Sequence, residues 1–535
     1  MLARAPGYLT LVAGFRWRVP TFFNIGVDTC DRWAESDPDR LAIIDIDLHG
    51  KARHVSFGAL KSLSNRMANV LTAHGIRRGD RVAILLPQQA ETAAAHIALY
   101  KMGAIAVPLS PRFGPDPLAF RLGHCGAKAV ITNDDGAAKL PNNLTALTID
   151  PTPTALRPGD IDLSAAMDTA SDRFEPVRTK ADDPALIIYT SGTTGRPKGA
   201  VHGHRVLLGH LPGVEMSHDF FPHDGDLMWT PADWAWIGGL LVTLLPALHH
   251  GVPVIARRSP RLTGVQAFDL IARYGVRNAL LPPSALRMMQ AVKDPEKRWP
   301  LTMRSITAGG ESLGADLLHW GRKTFGLTIN ESYGQTECNI TVASCDAIME
   351  SRPGVMGRPV PGHAVAVIDA TGQPVPAGQP GMIAVARPNP ALFLGYWNDP
   401  AATAEKFIGD WMVTGDTGVM DENWWLRFIG RDDDVILTSG HRIGPTEVEE
   451  CLTAHPAVHM AAVVGKPSPI RTQIIKAFIV PADGVAQSDA LARELIHHTR
   501  TRLAAYQAPR EIAFVETLPR TVSGKIIRRN LRALA

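Results

Sequence analysis

Arg81-Val-Ala-Ile-Leu-Leu86 is followed by a helical pattern from Ala90 to Met102 and then by Ala104-Ile-Ala-Val-Pro108. Two short apolar runs rich in Val and Ile, with a helix between them, read as a right-handed βαβ unit with parallel strands. Similar short runs recur at Ala127-Lys-Ala-Val-Ile-Thr132, Ala185-Leu-Ile-Ile-Tyr189, Val252-Pro-Val-Ile-Ala256 and Ala279-Leu-Leu281. The expected fold is therefore α/β, with mostly parallel sheets and helices. From about Gly362 the texture changes: Ala364-Val-Ala-Val-Ile-Asp369, Gly381-Met-Ile-Ala-Val-Ala386 and Trp424-Trp-Leu-Arg-Phe-Ile429 read as strands of a small antiparallel subdomain. After Gly430 comes Arg431-Asp-Asp-Asp434 and then an independent pattern: a helix over 446–454, strands near 461–464 and 476–480, and a helix over 489–503. The expectation is a large N-terminal domain, 1–430, and a small mobile α+β C-terminal domain, 431–535.

The 535 residues are 45% hydrophobic and 20% charged, the balance of an ordinary globular enzyme. A net charge of +3 over this length is too small for the field that general nucleic-acid binding requires, so nucleic acid is not expected as a partner. Cys30, Cys125, Cys338, Cys345 and Cys451 are scattered and odd in number, which reads as reduced thiols in a cytoplasm-like compartment. An organelle matrix is the other reading, because Arg4, Arg16 and Arg18 precede the first acid at Asp28; against it, that segment has no serine and no A-x-A cleavage site follows it. The stretch 234–256 carries no Asp, Glu, Lys or Arg, but its glycines, prolines and His249-His250 read as a buried helix followed by a strand, not a membrane span.

The sharpest chemical signal is Tyr189-Thr-Ser-Gly-Thr-Thr-Gly-Arg-Pro-Lys-Gly199, directly after an expected strand. Glycines let backbone N–H groups turn toward one point, hydroxyls add donors and Lys198 adds charge, which together make a phosphate cradle. Pro197 before the lysine and Gly199 after it exclude a Walker loop. His202, His204 and His210 have a metal-like look, yet no cysteine or carboxylate stands at matching spacing, so loop and helix roles are expected.

With this loop, five further runs occur in order: Ala308-Gly-Gly-Glu311, Glu331-Ser-Tyr-Gly-Gln-Thr-Glu337, Thr414-Gly-Asp416 with Gly430-Arg431, Ser439-Gly-His-Arg-Ile-Gly444, and Pro519-Arg-Thr-Val-Ser-Gly-Lys525. The ordered set, spanning about residues 22 to 530, resembles the AMP-forming acyl-CoA synthetases and is most similar to their medium-chain branch. The resemblance implies ATP, Mg2+ and coenzyme A as cofactor and co-substrates, and a small-molecule carboxylic acid as substrate. The acid is activated as acyl-AMP with release of pyrophosphate, and the acyl group then passes to CoA.

It also implies site residues. Lys525, Glu337 and Thr336 are the expected catalytic set, with Glu337 also the metal ligand. Thr190, Ser191, Gly192, Thr193, Thr194, Gly195 and Lys198 would hold phosphates. Gly309, Gly310, Glu311, Ser332, Tyr333, Gly334 and Gln335 would line the nucleotide, with Asp416 on the ribose hydroxyls and Arg431 on ribose or phosphate. Asp433 matches the hinge about which the C-terminal domain turns between half-reactions. Ser439, Gly440 and His441 would border the pantetheine channel; Arg471 and Arg510 match CoA-contacting positions, ordinary surface arginines being the other reading. Trp236 and Gly334 match the acyl pocket. Acetyl-specific enzymes carry tryptophan at the position of Gly334, so the glycine is expected to leave room for medium-chain, alicyclic or aromatic acids. A carrier-loading adenylation enzyme and a non-catalytic nucleotide-binding relative are the alternatives.

Overall fold

In a computed structural model of the chain, residues 2–152, 154–190, 197–258, 262–431, 434, 436–438, 441–468, 472–503, 507–521 and 524–535 are described. Among them four sheets form. In the eight-stranded sheet, strand Arg81–Leu85 lies between Ile105–Pro108 and Ala129–Thr132, all parallel, in agreement with the βαβ reading. The connecting helix Ala90–Met102 is buried along its whole length, which its alanine-rich composition permits, and Gly103 closes it in the left-handed conformation.

A nine-stranded sheet packs beside the first. Its centre is parallel, running from Asn330–Gln335 through Ser305–Gly309, Asn278–Leu280, Met228–Trp229 and Val254–Arg257 to Leu41–Ile46, with antiparallel strands at both edges. Residues 234–256 form a buried helical stretch, Gly238–Leu244 continuing into Leu245–His249, and then the strand, as the sequence indicates. Among the described residues no helix is long and apolar enough to cross a membrane.

The antiparallel subdomain is a third sheet in which Trp411–Met420 pairs with Pro380–Ala386 on one side and Leu426–Arg431 on the other. The last of these begins two residues later than expected, because Trp424 is taken into the turn at φ +63°. Beyond residue 434 a five-stranded sheet carries its own apolar cores, built on Val463, Ile475, Ala477 and Leu495 on one face and on Ala462, Phe478, Leu518 and Leu531 on the other.

One local difference matters for the site. The strand Pro184–Thr190 is followed not by a helix but by the antiparallel strand Lys198–Gly203, with Thr190 paired to Lys198. The phosphate-type run therefore connects two paired antiparallel strands. His202 lies in that second strand, a correction to its expected loop role, because the Val-His alternation continues the hairpin. His202, His204 and His210 are fully buried, and burial pushes their imidazoles down, to about 3 for His202 and about 4 for His204. They are neutral core groups, and among the described residues no cluster suited to a metal forms.

Candidate functional site

Two of the sheets converge on Asp416. This residue is buried on Trp411–Met420, opposite Arg431 on the neighbouring strand, whose Nη1 stands 3.9 Å from Oδ1. From the nine-stranded sheet, the Tyr333 hydroxyl and Gln335 Nε2 both donate to Oδ2, at 2.6 and 2.8 Å. Gln335 Nε2 also donates to the Thr414 carbonyl at 2.8 Å, so one amide ties the Tyr-Gly-Gln-Thr-Glu run to the Thr-Gly-Asp run. Burial pushes the Asp416 carboxyl up; Arg431, the Tyr333 and Gln335 donors and the Lys525 ammonium act in the opposite direction. Two donors on Oδ2 orient the carboxylate with Oδ1 turned toward Arg431, an arrangement suited to accepting a pair of vicinal hydroxyls.

Glu337 ends the same run and is also buried. Its carbonyl accepts from Phe393 N at 2.8 Å, and its Oε1 accepts from the Tyr396 hydroxyl at 2.6 Å. Lys198 Nζ lies 5.2 Å from the centre of the Tyr396 ring, so the cation of the phosphate-type loop and the Glu337 carboxylate share one aromatic spacer. Mg2+ fits here: one oxygen of Glu337 is fixed, and no donor among the described residues engages Oε2. Magnesium characteristically takes one or two carboxylates and completes its shell with phosphates and water, so a single protein carboxylate suffices.

Gly309 and Gly310 form the wall beside Ser332. A Cβ on Gly309 would lie 2.6 Å from the Ser332 carbonyl oxygen, and Gly310 adopts φ +86° with open space before it, so the backbone bends close to the pocket. Glu311 pairs with Arg287 at 3.6 Å. The next residue, Ser312, donates to Glu450 of the C-terminal helix Pro445–Thr453. Glu331 lies under the same contact: burial and the Glu450 carboxylate push its carboxyl up to about 8, against a hydrogen bond from the Leu313 backbone.

Lys525 is exposed at a tight turn closed by Thr521 N to Lys525 O at 2.7 Å and Lys525 N to Thr521 Oγ1 at 3.1 Å. Of the basic residues after it, Arg529 is exposed, whereas Arg528 and Arg532 are paired. Arg528 forks onto Glu449 at 2.6 and 2.8 Å and reaches Asp434 at 3.3 Å, and Arg532 also binds Asp434. The third acid of the Arg-Asp-Asp-Asp run is accordingly buried and paired.

The structure places the remaining expected residues less evenly. Ser191, Gly192, Thr193, Thr194, Gly195, Asp433, Ser439, Gly440 and Arg471 lie outside the described residues; His441 is described only as part of the strand His441–Ile443. Arg510 is exposed just before Glu511–Phe514. Thr336 is half-buried between Gln335 and Glu337, with its backbone close to the buried His202 ring. Trp229 and Trp234 are core residues, while Trp236 is half-buried edge-on to Phe113, with ring centres 5.9 Å apart.

Gly334 differs from its expectation. A Cβ there would lie 1.4 Å from the Asn339 carbonyl oxygen, in the irregular pairing of Asn330–Gln335 with Asn339–Ala343. The space its missing side chain leaves is filled by the backbone of its own hairpin, not by open pocket. Tyr396, conversely, was not singled out from the sequence: a tyrosine in Gly-Tyr-Trp carries no motif, and the spacing of 59 residues to Glu337 conceals the contact.

Comparison with known proteins matches this arrangement. The sequence profile described as AMP-binding enzyme covers residues 30–397, and that of the AMP-binding enzyme C-terminal domain covers 447–525. The chain belongs to the AMP-binding enzyme family. Among its relatives, the mitochondrial acyl-coenzyme A synthetase ACSM3 of Mus musculus is 34% identical over 547 residues, covering 98% of this chain and 93% of the relative. The acetyl-coenzyme A synthetase of Bacillus subtilis is 34% identical over 520 residues, covering 95% and 90%. A crystal structure of an acyl-CoA synthetase from Brucella canis superposes with a TM-score of 0.77 at 35% identity, covering 99% of both chains.

Proposed function

We infer that the chain is an ATP-dependent acyl-CoA ligase, and that Asp416 marks its nucleotide site. The observation that carries this reading is the convergence on that carboxylate of Tyr333, Gln335 and Arg431, with the Lys525 ammonium acting on it from the C-terminal part of the chain. A buried acid so held suits a ribose, and a lysine whose charge acts on it suits the phosphate that follows.

A carboxylate is a poor acyl donor, so its oxygen attacks the α-phosphorus of ATP, and the bond to pyrophosphate breaks. Lys525 would bridge the carboxylate and phosphate oxygens as charge builds up, and Lys198 would neutralise the departing phosphates. Glu337 and Thr336 would hold Mg2+ and the phosphates; when bound, the ion neutralises phosphate charge and orients the leaving group. The CoA sulfur next attacks the acyl carbonyl and expels AMP. For that step residues 431–535 rotate as one body about Asp433, withdrawing Lys525 and bringing Ser439, Gly440, His441, Arg471 and Arg510 toward the thiol. Trp236 borders the acyl chain, and the substrates are medium-chain fatty, alicyclic or aromatic acids. The scattered thiols support a cytoplasmic location.

Pyrophosphate release with ATP, CoA and a panel from acetate to dodecanoate, with cyclohexanecarboxylate and benzoate, tests the reading. Lys525→Ala is expected to lower adenylation roughly 100- to 1000-fold. Thioester formation from supplied acyl-adenylate should largely survive; equal loss of both half-reactions would contradict the two-orientation scheme.

A further inference from the structure

Tyr396 stands on the two-residue strand Gly395–Tyr396, paired antiparallel to Ala200 at the edge of the eight-stranded sheet. It is 8% exposed and braced on three sides: its N–H donates to Thr403 Oγ1 at 2.8 Å, its ring meets Phe393 edge-on at 5.0 Å, and Lys198 Nζ lies over that ring. Its hydroxyl therefore has little freedom, and it donates to Glu337 Oε1 in a buried bond of 2.6 Å. A short bond from a neutral donor to a carboxylate is among the stronger hydrogen bonds in proteins and is sharply directional.

We propose that Tyr396 is the positioning residue of the cation site: it occupies Oε1, fixes the plane of the Glu337 carboxylate and leaves Oε2 to the divalent ion. Through its ring it also sets the distance between Lys198 and Glu337, so that ammonium and metal meet the same phosphates in a fixed geometry. This rests on the ligase reading for the role of Glu337, and adds to it a residue from a different sheet. Residues that orient a ligating carboxylate typically change metal affinity about 10- to 100-fold when removed.

The test is calorimetric titration of ATP into the full chain with Mg2+ or with EDTA, in the absence of acid and CoA, so that no turnover occurs. Tyr396→Phe keeps the ring, its packing and the platform for Lys198, and removes only the hydroxyl. The expected result is at least a fivefold loss of the affinity gained from Mg2+, with affinity in EDTA unchanged. Tyr396→Leu, which also removes the ring, is expected to weaken ATP binding in EDTA as well. A Mg2+ gain retained in Tyr396→Phe overturns the proposal alone, as does an equal loss with and without the metal. A wild-type chain that gains nothing from Mg2+ overturns the role of Glu337 and the proposal with it.

Discussion

Arg528 Nη1 and Asp434 Oδ2 are separated by 94 residues in sequence and by 3.3 Å in the fold. Arg528 lies three residues beyond Lys525, and Asp434 directly follows the expected hinge residue, so the ion pair connects the lysine-bearing turn to the residue next to the proposed hinge. Glu449 completes the triad on the same guanidinium. If the C-terminal unit swings Lys525 as proposed, it needs this rigidity, because a loose turn would leave the lysine behind.

Arg528→Ala leaves Glu449 and Asp434 mostly buried without that guanidinium, a change that typically costs about 3 kcal/mol or more. The expected outcome is a lower thermal midpoint for the C-terminal unit and adenylation reduced at least tenfold, with ATP affinity of the large domain within twofold of wild type. Arg528→Lys keeps the charge but not the fork and should fall between the two. Calorimetry and pyrophosphate exchange on the same preparations check this, and full adenylation by Arg528→Ala would refute the coupling.

Glu331 gives the fold a pH dependence of a definite sign. Its carboxyl is pushed up to about 8 in the folded chain, whereas an unfolded glutamate titrates near about 4.3. Between those values the folded chain holds a proton that the unfolded chain has released, so this group's contribution makes stability fall as pH rises through the window. Glu331→Gln is neutral at every pH and removes the slope. Its thermal midpoint relative to wild type should therefore rise from pH 5 to pH 8; a constant difference would show that Glu331 is ionised throughout.

Gly334 is constrained by the hairpin backbone. Because even a Cβ meets the Asn339 carbonyl at 1.4 Å, Gly334→Ala is expected to cost about 2 kcal/mol or more in stability. Gly334→Trp should lose activity on all acids together, through displacement of Asn330–Gln335 and with it Tyr333 and Gln335. Thermal melts and activity on acetate against octanoate decide between this and a narrowed pocket: a stable variant with a selective shift to acetate would restore the pocket reading.

The sequence by itself determined the α/β class, the antiparallel insertion, the separate C-terminal pattern and the order of six chemical runs, because each is local. A helix such as Ala90–Met102 is written in its own composition, and a phosphate-binding loop in its own glycines and hydroxyls. Only the tertiary structure decided which groups orient the chemical ones. Gln335 reaches Asp416 from another sheet, Tyr396 reaches Glu337 across 59 residues, and Arg528 reaches back to Asp434. Gly334 likewise acquires its meaning from Asn339, five residues on but folded back against it. Sequence periodicity reports which face of an element is buried; it carries no record of which other element the twist of a sheet brings against that face.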